Sequence, residues 1–216
     1  MFAIEIEKKR SLHVISTGQQ SREELVKISK TIHPYIDMLH IREKSWTGAE
    51  LAETVDELTG ACVPLRKLCI NDRADIAFMK HMRGVQLGHH SAPVDLVKKV
   101  FPSLKIGASV HSMLEALLAY EQGADFLLYG NVYETTSKPG KQGTGIGNLE
   151  EIVLNIPLPI IAIGGISPGR VEDILRTGAK GIAVLSGIFL SEDPLEAARA
   201  YYKSIHKEVI QLEETI

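Results

Sequence analysis

The residues best suited to chemistry in this chain fall into short clusters, each at or just beyond the end of an apolar run. His40, Arg42 and Lys44 close and follow MLHI, His111 follows KIGASV, and Asn131 and Glu134 follow FLLYG, with Lys138 farther along the same polar stretch. Gly164 and Gly165 end one β-branched run, and Ser186 and Gly187 end the next. Small residues at such ends let backbone N–H groups approach a phosphate with no Cβ in the way. The two pairs therefore read as a phosphate cradle, or as glycines that merely end strands.

The charged and titratable members admit equally definite roles. Arg42 is two residues from His40, so the two share one side of a strand, and an inward guanidinium fork could hold a carboxylate or phosphate through two parallel hydrogen bonds. The alternative is a solvated charge after a strand, and Lys44 and Lys138 carry the same pair of readings. An imidazole titrates close enough to neutrality to shuttle protons, which makes His111 an acid/base candidate or a rim histidine satisfied by a carbonyl. His40 reads as ligand contact or barrel packing. Glu134 is a base if partly desolvated and a surface carboxylate otherwise. Asn131 cannot titrate, but its amide could donate to charge developing on a substrate. His89 and His90 are adjacent, so their side chains diverge, and no third ligand completes a metal site.

The elements that must position these groups alternate along the whole chain. Apolar, β-branched runs are expected as strands at 12–16, 38–42, 67–70, 85–87, 105–110, 126–132, 160–163 and 181–185, with amphipathic helical stretches between them. Ser21 with Glu24 forms a capping-box pattern, Pro168 follows Ser167 as a helix start, and a last helix begins near Pro194. Eight strands alternating with eight helices, without repeats or linkers, predict one α/β domain over residues 1–216, a single (β/α)8 TIM barrel. A doubly wound sheet would require one strand to be misread. The polar, glycine-rich segment 133–147 lacks apolar periodicity and reads as a long functional loop. In a barrel, the candidate residues would gather at the carboxyl ends of the strands, with the glycine pairs after strands seven and eight.

Composition narrows the partners. The chain has 216 residues, 44% of them hydrophobic and 24% charged, with a formal net charge of -3, which argues against bulk affinity for nucleic acid or an anionic membrane. No apolar run is long enough to span a bilayer, and the first residues do not read as a secretory leader, so a cytoplasmic setting is expected. Cys62 and Cys69 have no metal-like spacing and are expected as small core residues. A homo-oligomer is compatible with all of this.

Together the strand-end segments HIREK, NDRADIA, GVQLG, SVHS, YGNVYETTSK, IAIGGI and VLSGIF resemble the thiamine phosphate synthase superfamily, in order and over nearly the whole chain. Within it, YGNVYET followed by SKPG looks more like the thiazole tautomerase branch, TenI. The resemblance implies a phosphorylated thiazole as substrate. It also implies a choice between two reactions. In the synthase, the thiazole nitrogen displaces pyrophosphate from a pyrimidine donor, with Mg²⁺ held by two Asp. Asp72 matches the first of these, while Ser91 stands about where the second would be. In the tautomerase, one proton moves from a carboxylate-bearing ring carbon to an exocyclic carbon, the thiazole becomes aromatic, and no metal or other cofactor is needed. That branch carries His as its acid/base where this chain has Asn131.

Overall fold

The computed structural model describes residues 10–135, 140 and 142–207. Eight parallel strands close into a barrel in the order β1-β2-β3-β4-β5-β6-β7-β8, so the expected (β/α)8 architecture is the observed one. The strands are β1 Ser11–Ile15, β2 Met38–Ile41, β3 Leu68–Asn71, β4 Gly84–Leu87, β5 Lys105–Val110, β6 Phe126–Gly130, β7 Ile160–Ile163 and β8 Gly181–Val184. Pairing of β1 with β8, from Ser11 opposite Gly181 to Val14 opposite Val184, closes the ring.

The helices are α1 Arg22–Ile32, α2 Gly48–Gly60, α3 Ala74–Met79, α4 Val94–Val100, α5 Met113–Glu121, α6 Ile146–Asn155, α7 Val171–Arg176, α8 Ser186–Phe189 and α9 Pro194–Ile205. Local chemistry explains several starts. Ser21 and Glu24 form the expected capping box of α1, and Thr47 with Glu50 forms a second at α2, each satisfying two N–H groups that the first turn leaves unpaired. Ser167 makes no side-chain cap; Pro168–Arg170 is instead a 3₁₀ turn leading into α7. The one-turn helix α8 was not foreseen, because four residues cannot display a helical period. β6 stops at Gly130, two residues earlier than expected, and α6 starts at Ile146, inside the segment 133–147 read as loop.

Alternation along each strand divides the core in two. Leu12, Val14, Leu39, Ile41, Leu68 and Ile70 face outward into the layer between barrel and helices. Ile15, Leu128, Ile161 and Ala183 fill the barrel interior, with Phe126, Ile163 and Leu185 against them. Cys69 is buried as expected, whereas Cys62 is exposed on the turn after α2, at φ 68°.

Candidate active site

A cavity of about 870 Å³ opens at the carboxyl ends of the strands. Its wall includes Arg42 and Lys44 after β2, Asp72 after β3, His111 after β5, Asn131 after β6, Gly164 and Gly165 after β7, and Ser186 and Gly187 after β8. Most of the candidates named from sequence are therefore brought to one chamber. Lys138 lies outside the described residues.

Two candidates are placed elsewhere. His40 is fully buried inside the barrel, does not line the cavity, and its Nε2 lies 2.9 Å from Nδ1 of His13 on β1. Its reading as ligand contact gives way to barrel packing, because the strand ends one residue further on and Arg42, not His40, reaches the chamber. Glu134 is exposed and does not line the cavity, so it is a surface carboxylate rather than a base facing the chamber.

Beneath the chamber, His13 and His40 stack with ring centroids 5.1 Å apart, and Phe126 meets His13 edge-on at 5.9 Å. Burial lowers the pKa of His13 to about 4 despite the opposing charge of Asp37, and it pushes His40 well below the ordinary imidazole range. The pair is neutral at physiological pH.

The cationic wall is held by a buried acid. Glu43 is 6% exposed, between Arg42 and Lys44. Burial raises its pKa, opposed by hydrogen bonds from the Ser16 hydroxyl and the Gly18 N–H and by the charge of Arg42. Ser16 Oγ in turn accepts from the Arg42 backbone N–H at 2.8 Å. The loops after β1 and β2 are thus joined behind the guanidinium.

At the end of β3, the hydroxyl of Ser91 donates to Asp72 Oδ1, while Gly88 N–H donates to Ser91 Oγ at 2.6 Å. Asp72 has φ 65°, and its N–H donates to Gln86 O at 2.9 Å. Arg73, next in sequence, is turned away from the cavity to form a two-pronged pair with Asp75. Asn71, Gln86 and Ser109 also line the chamber, with Gln86 Nε2 donating to Ser109 Oγ at 3.0 Å. Sequence reasoning did not single these three out. Their signal was the two-residue alternation of 69/71, 84/86/88 and 107/109/111, which puts polar groups on inward positions near strand ends.

His111 is held by Glu115 of α5, whose Oε2 accepts from the His111 backbone N–H at 2.7 Å and lies 3.2 Å from its Nδ1. A proton on Nδ1 directed at that carboxylate leaves the base lone pair on Nε2. Asn131 is 5% exposed, and its Nδ2 donates to Tyr133 O at 3.2 Å and Gln142 O at 3.4 Å. Thr144 N–H returns a bond to Asn131 O at 2.8 Å. The amide therefore ties together the two ends of the long loop.

The glycines after β7 have a second reason to be glycines. A Cβ on Gly164 would lie 2.4 Å from Asn131 Cβ, and one on Gly165 would lie 2.3 Å from Glu134 O. Both have positive φ, 104° and 64°. Arg170 clamps the same junction, donating to Gly165 O at 2.9 Å with its guanidinium 4.4 Å above the Tyr133 ring.

Residues 12–188 match the family described as thiamine monophosphate synthase. The thiamine-phosphate synthase of Pyrococcus furiosus is 33% identical over 205 residues, spanning 94% of this chain and 98% of that protein. That of Chloroflexus aurantiacus is 36% identical over 167 residues, 75% of this chain and 76% of the relative. Among solved structures, thiamine phosphate pyrophosphorylase from Pyrococcus furiosus superposes with a TM-score of 0.78 at 30% identity, covering 93% of this chain and 96% of the other. A 3-hexulose-6-phosphate synthase, at 17% identity and a TM-score of 0.68, shares the fold.

Proposed function

Because the chain belongs to the thiamine monophosphate synthase family, we propose that its chamber binds a phosphorylated thiazole and aromatises the carboxylated tautomer of that ring by proton transfer. The observation that carries this reading is the Ser91–Asp72 hydrogen bond. Where the resemblance calls for two carboxylates around Mg²⁺, this chain offers one, and a neutral hydroxyl occupies it. Magnesium favours carboxylate oxygens in a near-octahedral shell, and Ser91 brings a hydroxyl without charge to that shell. The donor set does not fit a two-aspartate magnesium site, and no step is routed through one.

Each part of the substrate has a matching wall. The phosphate lies against Gly164, Gly165, Ser186 and Gly187, in the position after strands seven and eight where barrels commonly bind phosphate. The carboxylate meets Arg42 and Lys44, whose charges also favour the electron density that builds up as the adjacent ring carbon loses its proton. His111 accepts that proton at Nε2, Glu115 stabilises the resulting imidazolium, and the proton is returned to the exocyclic carbon. One bond to hydrogen is broken and one is made, so no oxidant or co-substrate is needed. Asn131 acts by bonding Tyr133 O and Gln142 O, which fixes the chamber wall beside the ring.

The second reading is thiamine phosphate synthase. It is favoured by the names of the relatives, which match this chain along most of their length, and by the retained Asp72. Two assays on one preparation separate the readings: aromatisation of the carboxylated thiazole phosphate, followed by absorbance in a chelator, and thiamine phosphate formation from pyrimidine pyrophosphate and thiazole phosphate with Mg²⁺.

A further inference from the structure

Helix α5 is built the wrong way round for a barrel helix that faces only water. Its inward stripe is small, Ala116 and Ala119, both buried, while Leu114, Leu117 and Leu118 form an i, i+3, i+4 stripe on the outside. Leu114 is 77% exposed and Leu118 52%. Further exposed apolar side chains stand on the two preceding helices, Leu96 and Val100 on α4 and Phe78 on α3, whose ring meets that of Phe101, just after α4, at 5.4 Å.

At these exposures the residues, with flanking Met79 and Tyr120, present several hundred Å² of apolar side-chain surface. Monomers rarely expose a contiguous apolar patch above about 300–600 Å². About 800 Å² per partner is what a stable protein interface buries.

We propose that this face joins two copies of the chain about a two-fold axis parallel to the barrel axis. Helices α4 and α5 both run back from the carboxyl ends of the strands, so their C-termini lie at the same end. Such an axis sets α4 of each copy against α5 of the other, the leucine stripe against Leu96 and Val100. It also brings Lys99 near the end of α4 beside Glu121 at the end of α5, both exposed, so identical faces meet with opposite charges at their rim. The cavity mouth stays open.

Sedimentation equilibrium of the full chain at micromolar concentration tests this. The expected mass is twice 23.7 kDa for the wild type and 23.7 kDa for the Leu114→Lys, Leu118→Lys double variant. A monomeric wild type overturns the proposal, as does a double variant that keeps the wild-type mass. Should the double variant fail to fold, Glu121→Lys decides: it should raise the dissociation constant, and adding Lys99→Glu should restore it. No change in either step overturns the proposal.

Discussion

Ser91 and Asp72, 19 residues apart in sequence, are joined at the cavity wall by a hydrogen bond from hydroxyl to carboxylate. The bond places a neutral partner where a second charge would be needed to compete for Mg²⁺. Ser91→Asp should therefore create magnesium affinity that the wild type lacks, because two carboxylates around Gly88 repel each other until a cation joins them. Titration calorimetry with MgCl₂ checks this; equal heats for the two proteins would contradict it.

His111→Ala should lower the turnover number for aromatisation by about 10²–10⁴-fold, the usual contribution of a general base, with a smaller change in KM. Glu115→Gln should remove the carboxylate that faces Nδ1 of His111 and lower the turnover number by a smaller factor. Steady-state kinetics of the two variants separates the effects. An unaltered rate in His111→Ala would remove the proton shuttle from β5.

Gly164→Ala should destabilise the fold by more than about 1 kcal/mol, since φ 104° disfavours any Cβ and the new one meets Asn131. Gly169→Ala, where nothing lies within 4 Å of the added atom, is the control and should be neutral or slightly stabilising. Urea denaturation of both variants reads the difference directly.

The buried histidine pair should make stability fall in acid. The pKa of His13 is about 4 when folded against 6.5 when exposed, so between these values the unfolded chain binds more protons and stability rises with pH. The contribution is fully present above pH 6.5 and is lost as pH falls through about 4, on the order of 3 kcal/mol for His13 alone. Denaturation midpoints should be level above neutrality and decline below pH 6.5. Replacing His13 and His40 together by Gln should flatten that slope.

The barrel was legible because buried parallel strands are nearly continuous apolar runs, and eight of them stand out along the chain. The chamber was legible for a related reason. Residues such as Arg42, His111 and Gly164 sit immediately after those runs, and in a closed barrel every run ends at one rim. Depth was not legible: His40 and Arg42 share one face of β2, yet only the latter clears the packed interior. Pairings across the ring, such as His13 with His40 and Ser91 with Asp72, depend on register and loop path, neither of which the local pattern encodes. The same holds for Gly164, whose need for a missing Cβ comes from Asn131 on a neighbouring strand end.

On the proposed reading, this chamber moves a proton on a phosphorylated thiazole without a metal. The most direct measurement is the rate of aromatisation of the carboxylated thiazole phosphate in excess chelator. Acceleration over buffer is expected, and chelation should not reduce it. No acceleration, alongside magnesium-dependent formation of thiamine phosphate by the same preparation, would contradict it.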